Sequence, residues 1–310
     1  MAFEREHDRE CFFKYVTIDT ARLIFENETL RWSSPLLFND PFDIQAGFHW
    51  DFDINDLPEM MLARIENLIQ SDDPLVFVET PNAEAVIAAL REAVKKVGLK
   101  KDKLRELLVP VYQKFAAFME SERVRYLTQR DGYLKTLRIL CLSEAHDNIL
   151  MWSHYADYHR GIVIKLKVAD DAEDDDPFWL ARRVLYSSKA SPHAEKKDFV
   201  DQCLGLKKRT MYNPGDYWKW AYEKFDVWKY EAEWRVNDPS DEQKEAGYFY
   251  KGFNLVKKLE AVYFGCNCFG EHILEIISML KAKNPDIKYF IARKHEFEYK
   301  LEFEEVIGDP

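Results

Sequence analysis

Several things are scarce in this chain, and each scarcity excludes something. No apolar run approaches the ~20 residues that a helix needs to cross a bilayer, so no membrane role is expected. The opening MAFEREHDRE is charged where a secretory signal would carry an apolar core, so a cytoplasmic protein is expected. The 5 cysteines, Cys11, Cys141, Cys203, Cys266 and Cys268, are odd in number and scattered. That is no disulfide framework, and it fits a reducing compartment. Basic residues are outnumbered, 44 against 55, for a net charge of −11. Such a field repels nucleic acid at long range, so a nucleic-acid partner is expected only through a local basic patch.

Familiar chemical motifs are missing too. There is no GxxxxGKS or GxxxxGKT phosphate loop, no strand-linked GxGxxG, no HExxH and no GxSxG elbow. The close thiols Cys266 and Cys268 have only His272 nearby, and His154 and His159 are five apart, off one helix face. The acidic run from Ala169 to Pro177 lacks the turn glycine of a Ca²⁺ loop and reads as a solvated loop. No metal site is expected.

What is present is a globular composition, 47% hydrophobic and 15% aromatic. Short alternating or apolar segments suggest strands at Cys11–Ile18, Leu137–Leu142, Ile162–Val168, Arg182–Tyr186, Leu259–Phe264, Ile287–Ile291 and Phe297–Phe303. Helical spacing appears at Thr20–Asn27, with Asp19 as its cap, and at His272–Ala282. Between about 56 and 129 the apolar residues keep helical spacing throughout, which predicts three or four helices. The expected fold is α+β: a mixed, mostly antiparallel β-sheet with packed helices, one domain over 1–310, and an inserted helical subdomain at about 56–129.

The central stretch LRILCLSEAHDNILMWSHYADYHRGIVIKLKV reads as strand, helix, strand. Asp147 or Asn148 can cap the helix, and Gly161 can end it in the left-handed conformation. This helix concentrates Trp152, His154, Tyr155 and His159. Upstream, SSPLLFNDPFD is an ordered loop in which Asn39, Asp40 and Asp43 can pair buried backbone groups. Downstream, KYEAEWRV alternates, so that Glu231, Glu233 and Arg235 share one face of a strand. Neighbouring carboxylates raise each other's pKa and an arginine lowers it, which suits a general acid or base and equally suits a structural ion-pair row. Lys196, Lys197, Lys207, Lys208 and Arg209 form the most basic zone, followed by Tyr217, Trp218, Trp220 and Trp228. Basic plus aromatic suggests nucleotide or single-strand contact, against the plainer reading of an exposed helix followed by a core helix.

Taken in order, FFKY, SSPLLFNDPFD, LCLSEAHDNILMWSHYADYHRGIVI, YEAEWRV and LEAVYFG resemble the uncharacterised bacterial family DUF2971. The resemblance covers most of the chain outside 56–129. It brings no activity with it, but it implies that these motifs meet at one site. A more distant resemblance is to ADP-ribosyltransferases, which carry a basic or His residue on a first strand, a Ser, Thr or Tyr motif on a middle strand and a Glu, sometimes ExE, on a later strand. That resemblance implies that Lys14 or Tyr15 contacts a nicotinamide dinucleotide, that Ser143 lies on the middle strand, and that Glu233 orients the attacked ribose beside Glu231.

Two functional expectations follow. The first is an enzyme acting on a nucleotide or nucleic-acid end, by ADP-ribosyl transfer or NAD hydrolysis, with NAD as substrate. Its catalytic residues are Glu233, Glu231 and His154, in a pocket that includes Lys14, Tyr15, Asn39, Asp40, Ser143, Trp152, His159 and Arg235. The second is a non-catalytic ligand-binding or sensor module, in phage defence or stress response, in which the same polar groups hold a structure or a ligand.

Overall fold

The computed structural model describes residues 5–45, 49–71, 81–98, 100–170, 176–192, 195–208, 221–239, 247–252 and 255–307. The elements in chain order are β1 (Cys11–Val16), α1 (Ile18–Asn27), β2 (Thr29–Ser33), α2 (Leu57–Gln70), α3 (Pro81–Val97), α4 (Lys101–Thr136), β3 (Leu137–Ser143), α5 (Ile149–Tyr155), β4 (Ile162–Lys167), β5 (Arg182–Arg183), β6 (Leu185–Ser187), α6 (Lys196–Cys203), β7 (Glu223–Phe225), β8 (Glu233–Pro239), β9 (Tyr248–Gly252), β10 (Leu259–Phe264), α7 (Gly270–Lys281), β11 (Lys288–Lys294) and β12 (Leu301–Glu305). They fall into two compact units. The first comprises Met1–Gln45, Tyr133–Lys189 and Tyr222–Pro310, and the second Ala46–Gly132 and Ala190–Ala221.

The first unit is built on a sheet ordered β12-β11-β10-β4-β1-β3-β2-β9, with β8 also on β3 and β5 on β8. Its pairs are antiparallel except β10 with β11. The expected α+β class, a mixed and mostly antiparallel sheet with packed helices, is what the chain adopts. Side-chain alternation divides the core into two layers. Phe12, Val16, Ile162, Ile164 and Val262 pack with Ile24 of α1 and Ile276 of α7. Phe13, Tyr15, Val163 and Tyr263 face the other way, onto Met151 and Trp152 of α5. A separate parallel pair, β6 with β7, sets Tyr186 opposite Lys224.

The second unit is helical. Leu57 and Met61 of α2 meet Ala116 and Met119 of α4 and Phe199 of α6 in one buried cluster. Leu62, Ile65 and Ile69 meet Ile87 of α3 and Leu104 in another. Asp201, buried on α6, is held by Arg64 Nε at 2.7 Å.

Several local expectations are corrected. Thr17, not Asp19, caps α1, its hydroxyl accepting from Thr20 N at 3.2 Å. Of the two expected caps of α5, Asn148 is the one that serves, as expected, accepting from Leu150 N and Met151 N. Gly161 does not carry the left-handed turn after α5. Asp157, Tyr158 and His159 do, at φ 46, 53 and 66. Gly161 is needed for close approach instead: a Cβ there would collide with the Val16 carbonyl oxygen. The last strand begins at Leu301 rather than Phe297, and Phe297 and Tyr299 are exposed before it. Most important, KYEAEWRV is not one strand. Residues 226–231 form a 3₁₀ turn, Ala232 is left-handed at φ 45, and β8 starts at Glu233.

Candidate functional site

The site exists because the sheet parts. β3 is paired along its whole length by β8, from Leu137 to Ser143. Its other edge is shared. β1 touches it only at Phe13↔Ser143, and β2 only at Ser33↔Ile139. The backbone between those points has no ladder partner on that side, and buried carbonyls need one. Lys14 Nζ supplies it, donating to the Cys141 carbonyl at 2.7 Å. A cavity of about 470 Å³ occupies the parting, reached by Thr17, which caps α1, by Thr20 of α1 and by His154 and Tyr155 of α5. Its size is that of a small-molecule site.

A buried ion cluster floors it. Lys224 Nζ lies 2.5 Å from Glu231 Oε2, 3.2 Å from Glu233 Oε2 and 3.3 Å from Asp43 Oδ2. Arg235 grips Glu233 with Nε at 2.8 Å and Nη2 at 2.9 Å, and the same Nη2 donates to Asp43 Oδ2 at 2.7 Å. Glu231 and Glu233 therefore do meet, but through Lys224 rather than along a strand. Tyr155 donates to Glu231 Oε1 at 2.6 Å, and Asn39 Nδ2 donates in turn to the Tyr155 oxygen at 3.3 Å. Ser143 Oγ fixes the Glu231 backbone carbonyl at 2.7 Å. Tyr186 accepts from Glu233 N at 2.8 Å. Asp43 Oδ1 finds no hydrogen-bond partner among the described residues.

Three carboxylates face two cations here, so full ionisation leaves one negative charge in excess. The two glutamates share that burden unequally. Burial raises the Glu231 pKa, the Glu233 charge adds to it, and Lys224 and Tyr155 offset only part. Burial works on Glu233 in the same direction, but Arg235 and Lys224 outweigh it and hold that carboxyl well below the usual range. Lys224 is desolvated as well, yet its three carboxylates push its pKa up. Glu231 is thus the member of the cluster that holds a proton more tightly than a free carboxylate, and Glu233 the one that gives it up more readily.

Of the residues singled out in the sequence, Lys14, Tyr15, Asn39, Ser143, His154, Glu231 and Glu233 line the cavity. The others do not. Arg235 lies beneath the floor, fully buried. Asp40 caps its own loop, accepting from Phe42 N at 2.9 Å. Trp152 is buried in the core, its indole donating to the His146 carbonyl at 2.7 Å. His159 belongs to the left-handed turn, with Nε2 3.1 Å from Ser153 Oγ. Sequence reasoning missed three members. Asp43 is the last residue of FNDPFD and looked like a loop stabiliser. Lys224 is one lysine in an aromatic stretch. Tyr155 sits on α5 but was overshadowed by its histidine neighbours. A buried charge needs a partner, so the ExExR pattern alone called for a further cation, and that was the available signal.

The basic zone yields less. Lys207 pairs with Asp198, while Arg209, Tyr217, Trp218 and Trp220 lie outside the described residues. Trp228 belongs to the cluster, its ring centroid 5.1 Å from Lys224 Nζ. Among the described residues no group of three or more His, Cys, Asp or Glu could hold a metal ion, and no helix is long and apolar enough to cross a membrane.

Residues 151–236 match the model of a family described as a protein of unknown function, DUF2971. The matched segment runs from α5 to β8, so it contributes Tyr155, Lys224, Glu231, Glu233 and Arg235; Lys14, Asn39, Asp43 and Cys141 come from outside it. No curated protein and no solved structure matches the chain.

Proposed function

We propose that the cavity in the parted sheet is the active site of an enzyme acting on a nucleotide, with ribosyl transfer from NAD or NAD hydrolysis as its reaction. One observation carries this reading: two carboxylates at the floor of one small-molecule cavity have their proton affinities driven apart. Glu233, kept ionised, stabilises positive charge that develops on a ribosyl carbon as its bond breaks. Glu231 accepts the proton of the entering hydroxyl or water, nicotinamide leaving as a neutral base with the bonding pair, and Tyr155 holds its carboxylate in place. The chain order of Lys14, Ser143 and Glu233, on β1, β3 and β8, supports the ADP-ribosyltransferase comparison.

Incubation with labelled NAD tests the reading. Transfer or hydrolysis is expected, and Glu231→Gln should reduce it by about 10²–10⁴-fold, the usual contribution of a proton-transfer group, without lowering the melting temperature. Absence of turnover, together with no thermal shift from NAD or other nucleotides, overturns it.

A non-catalytic ligand-binding module is the second reading. What favours it is the clamping of both Glu233 oxygens by Arg235 and Lys224. Nucleotide-induced stabilisation without turnover would select it, since a ligand that binds only the native state raises apparent stability.

A further inference from the structure

Lys14 has no part in the carboxylate chemistry, and its setting is unusual. It falls between Phe12 and Val16 on the face of β1 that packs into the larger apolar core. Its neighbour across β4 is Ile164. Lys224 has three carboxylates within 3.3 Å, whereas Lys14 has none within ion-pairing distance among the described residues. The contact that its Nζ makes is with the Cys141 carbonyl, a neutral acceptor. Arg31 of β2 lines the same cavity, its guanidinium lying over the Tyr248 ring at 5.5 Å to the centroid.

A lysine desolvated in a cavity, with no carboxylate at ion-pairing distance and a second cation lining the same cavity, is placed to act as a nucleophilic amine. We propose that Lys14 is a nucleophilic amine that forms an imine with a small anionic carbonyl compound, an aldehyde or an α-keto acid, admitted to the cavity in the parted sheet. The lone pair of the neutral amine adds to the carbonyl carbon and the π pair moves to oxygen. The oxygen then leaves as water with both amine hydrogens, and a C=N bond remains. Hydrolysis reverses the sequence, so no oxidant or reductant is required. Arg31 supplies the positive charge that selects an anionic partner.

The titratable groups that bear on the amine are Cys141 on β3, Arg31 on β2 and Glu233 on β8. Burial, the largest influence, lowers the proton affinity of Lys14, and Arg31 works the same way, while Cys141 and Glu233 oppose them. The neutral amine is therefore favoured relative to that of a surface lysine.

Reductive trapping tests the proposal on the full chain. The protein is treated with glyoxylate and sodium cyanoborohydride at pH 7, and the modification rate of each lysine is read by peptide mass spectrometry. Lys14 is expected to react several-fold faster than the exposed Lys101, in the direction that its burial sets. In urea the advantage should vanish, because it belongs to the fold. Arg31→Met should move the pH of half-maximal labelling at Lys14 upward, and uncharged glycolaldehyde should show a smaller preference for Lys14 than glyoxylate does. Labelling of Lys14 no faster than Lys101 in the folded chain, or an advantage that persists in urea, overturns the proposal. An unchanged pH profile in Arg31→Met overturns the role given to Arg31. None of these readouts depends on nucleotide turnover, so the proposal stands or falls apart from the one above.

Discussion

The left-handed turn at Asp157–His159 and the charged floor around Lys224 are both costly local structures, and they are held in opposite ways. Each non-glycine residue in the left-handed region costs about 1–2 kcal/mol. The turn meets that cost with backbone contacts: Gly161 N donates to the Ala156 carbonyl at 2.8 Å, and Asn267 N to the His159 carbonyl at 2.9 Å. Two glycines, Gly161 and Gly265, allow the approach, since a Cβ on either would strike a carbonyl oxygen. The floor is held chiefly by ion pairs between side chains, from the loop after β2, from β7, from the 3₁₀ turn and from β8. One region is therefore defined by shape and the other by charge. Removing a charge should wreck the floor and spare the turn; adding a methyl should do the reverse.

The largest effect is expected at Arg235. Arg235→Met leaves Glu233 and Asp43 buried without their main cation, and breaking a buried pair in this way costs about 3–5 kcal/mol. Urea denaturation measures it. Adding Glu233→Gln should recover part of the loss, because the cost lies in the stranded charge. A double variant no more stable than Arg235→Met would mean that packing, not charge, holds the floor.

Gly161→Ala comes next, at about 1–3 kcal/mol, from forcing a methyl against the Val16 carbonyl. Its sharper signature is local. Hydrogen exchange should quicken at Gly161 N and Asn267 N while Glu231 and Glu233 titrate as before. Tyr155→Phe should be smaller, about 1–2 kcal/mol, because one hydrogen bond to a buried carboxylate is lost while Lys224 still holds the other oxygen. Tyr155 ends α5 just before the turn, so normal exchange at Gly161 N in this variant would show that the two regions are independent.

The same contrast explains what was legible in the sequence. Strands and helices of the first unit follow apolar spacing, so β1, β3, β4, β10 and α7 could be read almost to the residue. The turn was readable as a stop signal, yet the wrong residue was assigned the left-handed angle, since positive φ was expected of glycine and falls on Asp157, Tyr158 and His159. The floor was half visible. Glu231, Glu233 and Arg235 sit within five residues, but Asp43 and Lys224 reach them only through tertiary folding. The parting of β3 from β1 was not visible at all, because alternation of side chains reports which face a residue takes and not which strand lies beside it. For the same reason Trp152, Asp40 and His159, chemically attractive in the sequence, turned out to support the fold.

The smallest expected effect is a dependence on pH, and it separates the two glutamates. Glu233 has its folded pKa below the ordinary 4.5, so its stabilisation is complete above that value and is lost as pH falls through the folded one. Glu231 has its folded pKa raised, so its contribution is present below 4.5 and is lost as pH rises through the folded value. Glutamine imitates the protonated form of Glu231 and removes that second loss. The stability of Glu231→Gln relative to the parent should therefore be higher at pH 7 than at pH 4.5, by up to about 1.4 kcal/mol for each unit by which folding raises the pKa. Any difference in hydrogen bonding to Tyr155 adds a constant that does not vary with pH. Urea titrations at the two pH values give the comparison. A difference that stays flat, or that falls, would show that Glu231 is held as firmly ionised as Glu233, and the floor would then be a scaffold with no proton to exchange.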